Sequence, residues 1–293
     1  GVPKSLIYRV VRSGEVRVNK GRAHVDTRLQ SGDEVRIPPI RYTEKESEHS
    51  APPLKLSEMP PILFEDQNIM VVDKPAGMAS HGGSGISYGL IERMRASRPE
   101  LPFLELVHRL DRGTSGVLVL AKTRKALVRL HEMIREGEMH KTYQALVKGD
   151  WQNDRQHAKF PLFKYVTPTG ERRVRVDPEN GLPSHSIFRL KERFGPVSLV
   201  EVDLLTGRTH QIRVHAAELG FPLVGDEKYG DFAFNDEVAH GSLGVPFKRM
   251  FLHSGKICFH HPITGEELEI EAPLPKDCVE LIEVLEQRKA QNK

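Results

Sequence analysis

The densest chemistry-bearing run in the chain is His108-Arg109-Leu110-Asp111-Arg112-Gly113-Thr114-Ser115-Gly116, which leads straight into the apolar stretch Val117–Ala121. A carboxylate between two arginines, at the mouth of a buried strand, can act as nucleophile or general base. The same pattern fits a loop aspartate that is paired and only stabilises a turn. A second run, Thr206-Gly207-Arg208-Thr209-His210-Gln211-Ile212-Arg213-Val214-His215, follows another strand. Thr209 is the expected N-cap and Gly220 the stop of a helix. On that helix His210 and Arg213 share a face, as do Gln211 and His215, and Arg213 lies in the first turns, within reach of a cleft. The two histidines are five apart, not four, and no H-E-x-x-H occurs, so no metal site is expected. Third, Lys141-Thr142-Tyr143 opens a strand. Its tyrosine is either an ordinary half-buried ring or a face on which a base can stack. Fourth, His81-Gly82-Gly83 with Gly85-Ile86-Ser87-Tyr88-Gly89 imitates the motifs of a serine hydrolase. That elbow must leave a strand sharply. The residues before it here are glycine-rich loop, so a hydrolase is not expected. There is no Walker A sequence and no dinucleotide fingerprint, hence no nucleotide cofactor.

These residues need elements to position them. Ile69–Asp73, Val117–Ala121, Tyr143–Val147 and Val197–Leu205 read as strands; Ile86–Arg95 and Ala126–Ile134 read as helices. Arg172–Val176 and Ser186–Leu190, around Asn180-Gly181, predict a hairpin. Asp277 predicts the cap of a final helix over Val279–Lys289. Strands outweigh helices and many links are hairpin-like. The expected fold is α+β: a mixed, largely antiparallel sheet with flanking helices. This body spans 61–293. Residues 41–60, rich in glutamate, serine and proline, read as a flexible linker. Residues 1–40 read as a small module: a helix carrying Leu6, Ile7, Val10 and Val11, a stop at Gly14, and short strands at Val16–Val18 and Val35–Ile37.

At 293 residues with 38% apolar and 28% charged side chains, the chain has enough apolar material for a core and too much for wholesale disorder. Its apolar runs are far short of the roughly 20 residues that span a bilayer, and no secretory leader is visible. Two cysteines, Cys258 and Cys278, are too few and too far apart for a disulfide framework; inert thiols in a reducing cytoplasm are expected. Net charge is only +3, but residues 1–41 hold nine lysines and arginines against four carboxylates. Lys4, Arg9, Arg12, Arg17 and Lys20 belong to this group. Such concentrated basicity fits either a solvated helix or a face for the phosphates of a nucleic acid.

Four segments taken in order, VVDKPAG at 71–77, HRLDRGTSG at 108–116, GRTHQIRVH at 207–215 and RMFLHSGKICFHHPITGE at 249–266, resemble the RluA family of pseudouridine synthases. The resemblance covers residues 61–293. PKSLIYRVVRSGEVRVNKG, within residues 3–21, is similar to the later part of an S4 RNA-binding domain, so the chain is expected to begin inside that domain. The resemblance implies isomerisation of uridine to pseudouridine in 23S ribosomal RNA, without cofactor or metal, by a monomer in the cytoplasm. It implies Asp111 as the catalytic aspartate and Arg213 as its ion-pair partner. Tyr143 becomes the tyrosine that stacks on the base and a candidate acceptor of the C5 proton. Ile212 packs on the base, Arg109 fills the space of the flipped nucleotide, and Lys74 and Pro75 support the active-site loop. Two other readings differ in class. A glycosidase-like hydrolase needs two facing carboxylates, and only Asp111 lies in a motif. A non-catalytic RNA-binding protein would rely on the basic module alone.

Overall fold

A computed structural model describes residues 4–38, 51–83 and 88–291. The chain divides into two compact units, Gly1–Ser50 and Ala51–Lys293. In the first, helix α1 (Lys4–Arg12) is followed by strands β1 (Arg17–Val18), β2 (Gly21–Arg22) and β3 (Val35–Arg36), with β1 in the middle. Asn19 and Lys20 both adopt positive φ, at 50° and 70°. That is the geometry of a two-residue hairpin turn matched to strand twist. Asn19 is fixed there: its amide donates to Asp33 Oδ1 at 2.7 Å and its oxygen accepts the Glu34 N–H at 2.9 Å. Val10 and Ala23 are buried, while Arg9, Arg12, Arg17 and Lys20 all face solvent. The Lys4 side chain lies outside the described residues.

The second unit is built on a sheet of ten strands. In chain order the elements begin with β4 (Ile62–Glu65), β5 (Ile69–Lys74), helix α2 (Leu90–Ser97), β6 (Glu105–Leu106), β7 (Ser115–Ala121), helix α3 (Arg124–Glu136) and β8 (His140–Lys148). They continue with β9 (Arg155–Ala158), β10 (Leu162–Val166), β11 (Arg172–Val176), β12 (Ser186–Arg193), β13 (Val197–Leu204) and helix α4 (Gln211–Glu218). Helix α5 (Phe232–Ala239), β14 (Leu252–His260), β15 (Glu267–Glu271) and helix α6 (Lys276–Gln291) complete it. The main order is β4-β5-β7-β14-β8-β13-β12-β9, with β6 beside β7 and β15 beside β14. Only the β7–β14 pairing is parallel among these. Strand β7 is buried on both faces, which is why its sequence is continuously apolar instead of alternating. Leu118 and Leu120 pack into one core with α2; Val117 and Val119 pack into a second with α3. A third core joins Leu146 and Phe251 to α6 through Cys278, Leu281 and Leu285.

Several local expectations change. The 172–176 and 186–190 segments are not partners. Strand β11 pairs with β10, and β12 lies between β9 and β13. Asn180-Gly181 does turn the chain, because Asp177 accepts the Glu179 and Asn180 N–H groups, but the turn hands the chain from one sheet to another. Helix α4 begins one residue after the position that Thr209 would need to cap it: its N-cap is His210, in a left-handed conformation. Helix α2 starts at Leu90 instead of Ile86, with the Glu92 carboxylate accepting the Gly89 N–H. Helix α6 starts at Lys276, so Asp277 lies in its first turn rather than before it. Residues 51–60, expected to be linker, fold onto the larger unit. Leu54 is buried, its N–H donates to Ser97 Oγ, and Leu56–Glu58 form a 3-10 turn. Residues 41–50 lie outside the described set, as does Ser87 with the segment 84–87.

One backbone constraint stands out at the head of β7. Gly116 has φ +112°, and a Cβ there would lie 2.1 Å from the Ser254 carbonyl oxygen of β14. The parallel crossing of β7 and β14 therefore requires glycine. Gly116→Ala is expected to lower unfolding stability by about 3 kcal/mol or more, read as a reduced midpoint in urea denaturation.

Candidate active site

The loop between β6 and β7 carries Asp111. Three groups fix it from below. Ser80 Oγ donates to the Leu110 carbonyl and accepts the Leu110 N–H, at 2.8 and 3.1 Å. The Gly77 N–H donates to the Arg112 carbonyl at 2.7 Å, and Arg112 Nε returns a bond to the Gly77 carbonyl at 3.0 Å. Lys74, fully buried at the end of β5, donates to the Pro75 and Met78 carbonyls at 2.9 and 2.6 Å and to that of Arg112 at 3.5 Å. Burial pulls the Lys74 pKa down to about 7 against the opposing charge of Asp111.

Helix α4 meets this loop from the other side, and its own anchoring is polar. The Gln211 side chain accepts the Arg208 N–H and the Thr206 hydroxyl, and donates to the His185 carbonyl and Ser186 Oγ. Four residues on, His215 meets the same Ser186 at Nδ1 and the Phe160 carbonyl at Nε2. A carbonyl only accepts, so Nε2 carries a proton. Burial pulls its pKa to about 4, against that hydrogen bond.

So anchored, the helix points Arg213 at Asp111. Arg213 Nη1 lies 3.1 Å from Asp111 Oδ2. Its Nε and Nη2 make a two-pronged contact with Asp226, at 2.8 and 2.7 Å. Asp226 is 1% exposed and also accepts the Lys228 and Tyr229 N–H groups. Burial opposes charge on Arg213, but the two carboxylates outweigh it and hold the guanidinium above its ordinary pKa. The Tyr229 ring lies under Arg213 at 5.1 Å. Its hydroxyl accepts the Val174 N–H at 2.9 Å and lies 2.7 Å from His210 Nδ1, the acceptor within reach of its own proton when that ring is neutral. That leaves the His210 proton on Nε2, which lies 3.9 Å from Asp111 Oδ1. Burial lowers the His210 pKa, so the ring is neutral at pH 7.

Tyr143 and Ile212 belong to the core packed beneath the loop and line the same cleft as Asp111. Burial raises the Tyr143 pKa well above the ordinary value, with a Ser254 hydrogen bond opposing, so the residue offers a ring and a hydroxyl, not a phenolate. Arg109, at the exposed rim, is held by His81: Nη1 lies 2.7 Å from Nε2. The cleft has a volume of about 1360 Å³. Among the described residues its walls carry nine lysines and arginines against four carboxylates.

The structure thus brings Asp111, Arg213, Tyr143, Ile212 and Arg109 to one cleft, with Lys74 and Pro75 behind its loop. Arg9, Arg12, Arg17 and Lys20 belong to the other unit. Three contributors escaped the sequence reading. His210 was weighed only as a metal ligand. Asp226 and Tyr229 lie between two of the motif runs and were given no role, although an aspartate followed three residues later by tyrosine was a visible signal. Asp226 is also a second carboxylate, but both its oxygens are committed to Arg213, so it does not face Asp111 across a substrate site as a glycosidase requires.

The model of the RNA pseudouridylate synthase family matches residues 68–218, the segment that holds the Asp111 loop and α4. The chain belongs to the RNA pseudouridylate synthase family. The synthase is 50% identical over 289 residues to ribosomal large subunit pseudouridine synthase C of Salmonella typhi, covering 97% of this chain and 89% of that protein. It is 51% identical over 278 residues to the protein of the same name from Escherichia coli K12, with 94% and 86% covered. Its fold matches human RNA pseudouridylate synthase domain containing 4 at TM-score 0.63 and 24% identity, covering 77% of this chain and 92% of that one. Human RNA pseudouridylate synthase domain containing 1 matches at TM-score 0.61 and 26% identity, covering 80% and 97%.

Two outcomes follow for the synthase. Asp226→Ala leaves a buried guanidinium without its two-pronged partner and is expected to cost about 3–5 kcal/mol. Asp111→Ala, on the more exposed side of the same guanidinium, should cost clearly less; paired urea titrations check the order. The His215 pKa is depressed on folding, so the unfolded chain holds more protons between pH 4 and 6.5. Stability therefore falls as pH drops through that window. His215→Asn should reduce the slope of stability against pH near pH 5 by up to about one proton, about 1.4 kcal/mol per pH unit, measured by denaturation at a series of pH values.

Proposed function

We propose that the chain isomerises uridines of the 23S ribosomal RNA to pseudouridine in the cytoplasm, with Asp111 as its catalytic aspartate. The observation that carries this is the Asp111–Arg213 pair at 3.1 Å, set in a cation-rich cleft beside Tyr143. The names of the two bacterial relatives supply the large-subunit substrate. In the reaction the N1–C1′ bond breaks, the uracil turns and a C5–C1′ bond forms; one C5 hydrogen leaves as a proton and N1 takes one up from solvent, so the product is an isomer. Extracting a base from its stack costs a few kcal/mol. Arg109 at the rim fills the vacated space, while Tyr143 and Ile212 receive the uracil. Lys74 and Pro75 hold the loop that carries Asp111. Arg213 keeps a cation against the carboxylate throughout, and His210 presents an N–H towards its second oxygen.

The pKa of Tyr143 bears on its role. A phenol that stays protonated stacks on a base at any physiological pH. To take the C5 proton it must first lose its own, which burial opposes. We read residues 1–40 as a partial S4-like module whose Lys4, Arg9, Arg12, Arg17 and Lys20 contact RNA phosphates. Residues 61–293 then form the catalytic domain, working as a monomer.

The test is release of tritium from 23S rRNA labelled at uridine C5. The parent chain should release it, and Asp111→Asn should reduce release at least about 10³-fold, the scale on which an essential nucleophile or base acts. Release that survives in Asp111→Asn, or free uracil in place of pseudouridine, would overturn the assignment.

A further inference from the structure

Strand β8 carries a second side chain on the Tyr143 face. Lys141 precedes Tyr143 by two residues, so both point into the same cleft, about 7 Å apart along the strand. Thr142 between them points away and donates to Asp203. Lys141 is set into the wall, flanked in the sheet by Leu204 and Ile257. No hydrogen bond or ion pair reaches its ammonium among the described residues. The other lysines of this unit that are set into the surface are satisfied. Lys122 meets Glu65, Lys228 meets Glu171, Lys256 meets Glu269, and Lys74 donates to carbonyls. The ionisable neighbour of Lys141 is His108, an imidazole whose Nε2 accepts the Val119 N–H and whose pKa is held well down by burial first and by the lysine charge second. Burial with nothing to offset it pulls the Lys141 pKa down to about 8.

An unpaired ammonium in an apolar wall destabilises a fold. Its use lies in what enters the cleft. It is a compact cation with free donors, one strand step from the ring that receives the base. We propose that Lys141 binds the RNA backbone phosphate flanking the uridine seated against Tyr143. The proposal rests on the reading of the cleft as the uridine site. It assigns the lysine to substrate positioning, with no part in bond making or breaking.

Lys141→Met keeps the length of the side chain and removes its charge. RNA binding is measured by anisotropy over a salt series, turnover by tritium release, and stability by urea midpoint, for the parent, Lys141→Met and Lys141→Arg. One lost phosphate contact should weaken binding about tenfold and flatten the slope of log K against log salt by about 0.7–0.9. The KM should rise with kcat within about twofold, Lys141→Arg should restore the slope, and the urea midpoint of Lys141→Met should rise. A lysine that only supports the fold gives the opposite pattern: an unchanged salt slope with a lower midpoint and lower kcat, which would overturn the proposal. If the parent releases no tritium while Lys141→Met still flattens the slope, the phosphate contact stands and the uridine reading falls.

Discussion

A single guanidinium, almost wholly buried between two carboxylates, is the constraint on which the cleft depends. Arg213 has 9% of its side chain exposed, and Asp226 on its inner side has 1%. Neither charge is tolerable there without the other. The planar fork of arginine matches the carboxylate with two parallel bonds, which fixes the plane of the guanidinium as well as its position. The remaining Nη1 then has one direction left, and Asp111 lies along it. A lysine at 213 could supply charge but not that direction. The inner pair is thus structural, and the outer pair inherits its precision.

The aspartate needs equal precision from its own side. Its loop is bound at Leu110 by Ser80 and at Arg112 by Gly77 and Lys74. These anchors flank Asp111 and leave its carboxylate free to face the cleft. The loop ends where Gly116 presses against β14, an approach that no side chain permits. Rigid elements on both sides, β5 with β7 and β12 with α4, therefore converge on one ion pair. Tyr229 ties a third element to it. The hydroxyl links the β10–β11 hairpin, through the Val174 N–H, to His210, while the ring supports Arg213.

The sequence made some of this legible, and the division has a physical basis. Strand β7 was readable because a strand buried on both faces is apolar throughout. The shared face of Gln211 and His215 followed from helical spacing, and both do reach Ser186. The Asp111 and Arg213 positions were readable because they sit in short, unusual runs at element ends. The partner of β11 was not, since strand pairing is decided by the packing of distant segments and not by the turn that follows. The start of α4 was misplaced because His210 takes a left-handed conformation, so the helix begins only at Gln211, and no side chain caps it. Asp226 escaped because its importance lies in burial against Arg213, thirteen residues away, and burial of a charge is not written in local pattern.

The way the cleft cations are held explains how a nearly neutral chain offers a polyanion a basic surface. On the outer surface many arginines and lysines meet carboxylates, which cancel their charge locally, as in the network of Arg98 and Lys122 around Glu65. In the cleft Arg95, Arg213 and Lys228 also meet carboxylates, but three other arginines have neutral partners. Arg112 donates to the Gly77 carbonyl, Arg208 to the Pro183 carbonyl, and Arg109 lies against a histidine nitrogen. A neutral acceptor fixes the direction of a guanidinium without cancelling its charge. The field of such groups adds up inside a concave wall of low polarisability, where it is stronger than on open surface. The net charge of +3 is therefore a poor guide to what the molecule attracts; the choice of partner for each arginine decides it.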